Sequence, residues 1–568
     1  RWTDLGITFG FLGFLVLMAI GALVTLLFLI WWLAASRVPW AERFLMLGTA
    51  VLAGLGAALL SDRSVGTVMV LPGLPLVLTA WAVVLLAARR QSSRARRLVL
   101  AAALCLTWGA FTLVRTEGSA GDGQPVVRWR WRPTAEEIYL AGLGRDGETA
   151  AALSLRPAMR LQPGDWPGFR GANRDGDLRG VRIATDWDAA PPRLVWRRRI
   201  GPAWSSVAVV GDRLFTQEQM GEFEAVVCLD AATGRTAWRH QDAARHSDVQ
   251  GGAGPRATPT FAEGRVFALG ATGILNCLDA NSGERKWSRD IAADAGTKTP
   301  MWGFSSSPLV VGSLVVVFAG GESDKTLLAY RTDSGQSAWA APAGQVSYSS
   351  PQPASIGGEA QILVVSDHGL KAFDPSSGIV LWEHHTPAGN PGIPRSVQPR
   401  VVGPTRVLFD AGPDAGTTLI ELSRQNQSWV PAEKWVSRHL KPSFNDFVVH
   451  DNALYGFDAR TLTCIDVETG RRRWKEGRYG SGQVLLLGDQ PLLLVVAESG
   501  EVVLVSADPD RHRELGRIQA IEGKTWNHPV IARGRLYVRN AEEIACYELR
   551  LDGVREAAAA PAHCSPGR

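Results

Sequence analysis

One pattern constrains the fold of this chain more than any other: an apolar residue, Asp, three residues, Gly, three residues and Trp. It occurs at Asp230, Gly234, Trp238; Asp279, Gly283, Trp287; Asp374, Gly378, Trp382; and Asp466, Gly470, Trp474. A fifth copy keeps Gly335 and Trp339 with Arg331 in the Asp position. The chemistry suits a tight connection between strands. Asp can accept from the backbone two residues on, Gly supplies positive φ, and Trp covers a large apolar area. Apolar runs rich in β-branched residues precede the copies, such as Arg265–Leu269 and Leu314–Phe318. Successive Trp residues from Trp238 lie 49, 52 and 43 positions apart, the length of a four-stranded propeller blade.

The interval between Trp382 and Trp474 predicts a degenerate blade in which Trp429 or Trp435 takes the docking role. A Trp-less blade around Leu493–Ala507 and a last, incomplete set of strands around Arg535–Leu549 follow. Trp196, in LVWRRRI, supplies the missing outer strand, so the ring closes on itself and the count is eight. Cys228, Cys277 and Cys464 stand two positions before the repeat Asp, and Cys546 matches them in the last blade. Equivalent positions in different blades are too far apart for disulfides, so these read as small core residues. Cys105 lies in an apolar stretch and Cys564 in the tail, and no CxxC metal spacing is present.

The N-terminal part is of another kind. Leu5–Ser36, Phe44–Ser61, Ser64–Ala88 and Leu98–Val114 contain no Asp, Glu, Lys or Arg, and about 20 apolar residues cross a bilayer as a helix. The expectation is an all-β eight-bladed propeller (164–552) preceded by an α-helical four-helix transmembrane anchor (1–118) and a linker (119–163), with a disordered tail (553–568). Arg37 and Arg43, and the cluster Arg89, Arg90, Arg94, Arg96 and Arg97, put the first and third loops in the cytoplasm and both chain ends outside. Residues 1–165 hold 16 arginines, no lysine and 10 carboxylates. Of the 60 basic and 55 acidic residues in the chain, 44 and 45 therefore fall in the remainder. A near-neutral propeller without a basic run argues against nucleic acid as a partner.

DWPGFRGANRDG (Asp165–Gly176), the LDAATGRTAW type of repeat and TWNHPV (Thr525–Val530) resemble the PQQ-binding-like β-propeller repeat proteins of the quinoprotein alcohol dehydrogenase-like superfamily. Helices before a propeller resemble the layout of membrane-bound glucose dehydrogenase, although that family has five, and VRWRWRPTAEE (Val127–Glu137) is similar to the linker of membrane-anchored members. The resemblance implies a periplasmic domain of a bacterial envelope protein at the inner membrane. It also implies two functions to weigh: a scaffold that binds envelope proteins, the preferred reading, and a dehydrogenase that uses PQQ and Ca²⁺ to oxidise an alcohol or sugar and reduce membrane quinone. The vicinal Cys pair of many such dehydrogenases is absent here.

Candidate site residues follow from the repeat. Residues opening the innermost strand of each blade converge on one mouth of the channel: Trp204, Arg256, Trp302, Tyr348, Gln398, Asn445, Gln483, Trp526 and Asn527, with Asp446 and His528 beside them. Aromatic, amide and Arg groups on one rim can stack on and hydrogen-bond a planar ligand; equally, they can fill the channel and bond its waters. Asp446 is the one carboxylate placed to act as a base or Ca²⁺ ligand, and His528 before Pro529 reads as structural. GFRGANRDG follows no strand–helix unit and is not a phosphate loop. Ser205–Ser206, Ser306–Ser307 and Ser349–Ser350 recur at blade starts as features of the repeat.

Overall fold

A computed structural model describes residues 11–65, 70–121, 125–143, 159–386, 395–412 and 415–552. The tail expected to be disordered, with Cys564, lies outside the described residues, as does most of the second half of the expected linker. The chain divides into two compact units, Arg1–Thr134 with Val249–Gly252, and Ala135–Asp248 with Ala253–Arg568.

In the first unit, α1 (Phe11–Ile30) runs into a π-helical turn (Trp31–Ala35), followed by α2 (Trp40–Leu60), α3 (Val70–Ala87) and α4 (Ser93–Ala110). Three described stretches, Trp40–Leu60, Gly73–Arg90 and Ser93–Leu113, are long and apolar enough to cross a membrane. Trp32, Trp81, Leu100 and Leu104 form the core of the unit, while Leu52, Leu59, Leu86 and Leu106 point outward and exposed, a surface suited to hydrocarbon. α2 and α4 begin before the uncharged stretches Phe44–Ser61 and Leu98–Val114 do. Glu42 in α2 is buried and paired with Arg97 (2.7 Å) and Arg96 (3.4 Å) of α4, tying the starts of the two helices together. At the opposite end of these helices, strands Val114–Ser119 and Pro125–Trp129 form an antiparallel hairpin.

Among the described residues, the second unit contains eight sheets of four or five strands. Blades 1 to 6 are consecutive four-stranded meanders, beginning at Ala208, Thr260, Leu309, Gln352, Arg400 and Val448. Blade 7 (from Gln483) gains a fifth strand, Asp177–Leu178, parallel to its innermost one. Blade 8 takes its outermost strand from Arg193–Arg199, paired antiparallel with Glu543–Glu548. The expected closure of the ring by Trp196 is therefore observed.

The repeat trio works across blades. In each full copy the turn glycine has positive φ and its missing side chain leaves room for the indole of the preceding blade. A Cβ on Gly234, Gly283, Gly335 or Gly378 would stand within 2.7 Å of Trp196, Trp238, Trp287 or Trp339 respectively. The indole nitrogens donate into the same turns, to the carbonyls of Ala231, Ala280, Thr332 and Pro375. In six of the blades a β-bulge follows the residue opposite the Trp, and that residue is small: Cys228, Cys277, Ala329, Ala372, Cys464 or Cys546. The four cysteines are buried free thiols.

In the degenerate blade 5, Trp435 takes the docking role. It pairs with Leu419 before the same bulge, donates to the Val467 carbonyl (3.0 Å) and covers Gly470. Trp429 instead donates to Glu359 (2.9 Å) and lies under Arg424.

Candidate functional site

The channel is filled by the segment Asp165–Leu178, which reaches the inner edge of every blade. Trp166 and Val209 of blade 1 exchange two backbone bonds (2.8 and 2.7 Å), and the Pro167 carbonyl accepts from Phe261 of blade 2 (2.7 Å). Arg174 donates to the carbonyls of Ser307 (3.0 Å) and Pro308 (2.9 Å) at blade 3. Gln352 of blade 4 donates to the Asn173 carbonyl (3.1 Å), and Arg400 of blade 5 pairs with Asp175 (2.6 Å). Arg170 donates to the Phe447 carbonyl (2.8 Å) and pairs with Asp446 (3.0 Å) beside blade 6. Leu486 of blade 7 donates to the Gly176 carbonyl (2.8 Å), and Phe169 meets the His528 ring edge-on at 5.1 Å before blade 8. The tight course requires left-handed backbone at Arg170 (φ 58°) and Arg174 (φ 55°), neither of them glycine.

Sequence reasoning missed Arg170 and Arg174. Both are buried, and Arg174 meets backbone carbonyls rather than a carboxylate, so burial and the neighbouring Arg170 pull its guanidinium down to about 9.

Around this plug runs a closed belt of hydrogen bonds, one link per blade junction. Ser206 N–H donates to Thr258 Oγ1, Thr258 N–H to Ser307 Oγ, Ser307 N–H to Ser350 Oγ, Ser350 N–H to Gln398 Oε1 and Gln398 N–H to Asp446 Oδ1. Asn445 Nδ2 donates to the Gly482 carbonyl, Gln483 Nε2 to the Trp526 carbonyl and Asn527 Nδ2 to the Ser205 carbonyl, returning to blade 1. Gln398, Asn445 and Asn527 are thus buried and hold neighbouring blades together. The serine pairs of the sequence are the same device.

Asp446 sits where plug and belt meet. Burial alone would raise its carboxyl, but the Arg170 guanidinium, His528 and the Gln398 N–H outweigh it and hold Asp446 below the usual carboxylate range. Oδ1 receives Arg170 and Gln398, and Oδ2 faces His528 Nε2 at 3.4 Å. Burial outweighs that carboxylate in turn and lowers the His528 imidazole.

Of the remaining rim residues, Trp204, Arg256, Trp302 and Trp526 are half-buried and Tyr348 is buried. Trp204 and Trp526 are in contact with ring centroids 4.8 Å apart, Phe444 lies 4.9 Å from Trp526, and Lys524 Nζ lies over both indoles at 5.0 and 4.4 Å. Trp526 Nε1 donates to Glu498 (3.0 Å). A second group joins Trp302 and Tyr348 (5.1 Å), with Trp302 N–H donating to the Tyr348 hydroxyl, while Arg256 is paired to Asp248.

A family described as "Outer membrane protein assembly factor BamB", a PQQ-like repeat family, matches residues 182–295 and 222–476, together more than half of the chain. The chain belongs to this family. It is 23% identical over 308 residues to the outer membrane protein assembly factor BamB of Yersinia pestis, covering 50% of this chain and 71% of that protein. It is 26% identical over 191 residues to the quinohemoprotein alcohol dehydrogenase ADH-IIG of Pseudomonas putida, covering 32% of this chain and 26% of the enzyme. The match therefore spans about a quarter of that dehydrogenase. Among solved structures, BamB from Moraxella catarrhalis superposes with a TM-score of 0.47 at 16% identity (63% of this chain, all of that one). The quinohemoprotein alcohol dehydrogenase of Comamonas testosteroni gives 0.48 at 12% identity (71% and 84%).

PQQ and Ca²⁺, which the quinoprotein branch of this fold implies, do not suit the residues here. Ca²⁺ takes six to eight oxygen ligands, carboxylates prominent among them. Among the described residues no group of three or more His, Cys, Asp or Glu side chains is placed to hold a metal. At the mouth, Asp446 is already neutralised by a guanidinium 3.0 Å away, and a cation beside it would face that charge. A planar cofactor stacking on Trp204 and Trp526 would have to displace Lys524 from both rings.

Proposed function

We propose that this chain is a bacterial inner-membrane protein, anchored by four spans that include α1, whose propeller stands on the periplasmic side. There it serves as a rigid, non-catalytic platform for envelope protein partners. One observation carries the reading: Asp446 is neutralised by Arg170 of the plug, and the amide N–H donors of Asn445, Gln483 and Asn527 are spent on the inter-blade belt, which encloses the Gln483 and Asn527 amide oxygens, leaving half-buried Trp204, Trp302, Trp526 and Lys524 around a closed centre. A surface of that composition suits a protein partner, since buried Trp, Tyr and Arg dominate binding energy at interfaces. The kinship with BamB supports an envelope setting, and the arginine-rich first and third loops support the orientation.

The test has two arms. A photocrosslinking residue in place of Trp302 or Trp526, in native membranes, is expected to give discrete adducts to an envelope protein that a crosslinker at exposed Ile379 does not give. Purified protein titrated with PQQ and Ca²⁺ is expected to show no saturable spectral change and no dye-linked oxidation of alcohols or sugars. Saturable cofactor binding with turnover overturns the platform in favour of a dehydrogenase.

A further inference from the structure

An element of the first unit straddles the expected boundary between anchor and linker. The hairpin Val114–Ser119/Pro125–Trp129 is fixed to the ends of the helices. Thr116 N–H donates to Ser64 Oγ (3.0 Å) and its hydroxyl to the Ser64 carbonyl (2.7 Å), in the segment between α2 and α3. Arg130 donates from its guanidinium to the Leu60 carbonyl at the end of α2 (2.7 Å) and from its backbone to Leu113 (2.9 Å) just after α4.

This placement puts Trp129 and Trp131, stacked at 4.9 Å and 46% and 65% exposed, beside the apolar helix ends. Val127 is exposed as well. Soluble surfaces do not usually present two stacked indoles, whereas indoles are enriched at the boundary between hydrocarbon and headgroups. Charge is distributed to match. Among the described residues, Arg63, Arg115, Arg128, Arg130 and Arg132 lie in or next to the hairpin and the segment it bonds, with Asp62 and Glu117 as the carboxylates among them. Glu117 is shared between Arg115 (2.8 Å) and Arg128 (3.6 Å). Among the described residues the surplus is cationic, and of these arginines Arg63, Arg128, Arg130 and Arg132 are exposed while Arg115 is buried.

We propose that this hairpin and the run Arg128–Arg132 form a docking surface for anionic phospholipid headgroups in the leaflet where the chain leaves the membrane toward the propeller. The indoles sit at headgroup level and the arginines meet the phosphates. The proposal rests on the reading that the helices span a bilayer.

Full-length protein carrying Cys105→Ala, Cys564→Ala and Trp131→Cys, labelled with an environment-sensitive fluorophore, is reconstituted into vesicles of phosphatidylcholine and phosphatidylglycerol. A second label at Val127→Cys guards against loss of the indole. Lipids spin-labelled near the headgroup are expected to quench the label more than lipids labelled at the chain end. Spin-labelled phosphatidylglycerol is expected to quench several-fold more than its phosphatidylcholine counterpart. Replacing Arg128→Gln and Arg132→Gln together brings that ratio close to one, and Arg128→Lys with Arg132→Lys keeps it. An inserted protein whose labels stay in water, a ratio near one, or full relief by inorganic phosphate overturns the proposal alone. Protein that does not enter the vesicles overturns the spanning reading as well.

Discussion

Removing the guanidinium of Arg170 leaves Asp446 buried with His528, a backbone N–H and the field of Arg174 to oppose its charge, and breaking a buried pair in this way costs about 3–5 kcal/mol. Arg170→Gln is therefore expected to shift the denaturation midpoint of the propeller strongly, and Asp446→Asn in the same background to recover part of the loss. Equal effects of the single and double variants would show the pair is not coupled. Asp410 behaves in the opposite sense. It is buried beside Arg395, and burial outweighs the Gly412 N–H and that arginine to push its carboxyl up to about 7. The folded protein therefore holds a proton that the unfolded chain has released above its ordinary value of 3.8. Its contribution to stability is full below about pH 4 and is lost as pH rises to about 7. Asp410→Asn is expected to gain on the wild type by about 2–4 kcal/mol between pH 4 and pH 8, read by denaturation at each pH. A constant difference across that range would show that Asp410 is ionised throughout.

At the scale of the element, the blades were legible because their defining contacts are written in short spacing. The Asp turn closes on itself and the bulge places Trp a fixed distance after it. Blade 5 was harder because its long strands, Thr417–Gln425 and Ser428–Ser437, meet in a turn at Asn426 and Gln427 with positive φ, without the Asp–Gly turn. The signal that selects Trp435 was the register of Leu419 in the place held elsewhere by Cys or Ala. Trp435→Ala is expected to cost about 2–4 kcal/mol, against about 1 kcal/mol for Trp429→Ala, which loses an exposed bond to Glu359. Gly335→Ala, at φ 70° against Trp287, is expected to destabilise as much as Trp435→Ala, measured by chemical denaturation. The rim was legible as a cluster, yet not what its members do. Gln398, Asn445 and Asn527 bond to the next blade, a relation that no spacing within one repeat expresses. Arg170 and Arg174 escaped notice because their partners lie 277 and 133 residues away, and only the rarity of two arginines in a Gly- and Asn-rich turn hinted at them.

For the whole propeller, residues 165–199 do three jobs: they fill the channel, extend blade 7 and complete blade 8. The contacts with blades 7 and 8 join the start of the propeller sequence to its end, so the ring cannot seal before its last strands exist, and loop closure comes late in folding. The seam is the point where this dependence can be tested. Arg197 pairs with Ala545 in the closing strand and donates to the Tyr547 hydroxyl at 3.0 Å. Arg198, opposite Ile544, shares the alternation of Ile200, whose N–H donates to the Glu542 carbonyl, so Arg198→Pro removes a ladder donor from the outermost strand of blade 8. Opening there exposes the edge of Glu543–Glu548 and frees Trp196 from Gly234, so blades 8 and 1 lose their shared contacts together. The expected result is early proteolytic cleavage on both sides of the seam, near Arg193–Arg199 and after Glu548, with blades 3 to 5 surviving longest and refolding slowed several-fold. A variant that resists protease like the wild type and refolds at the same rate would mean that the plug alone, through its contacts with all eight blades, is enough to hold the ring closed.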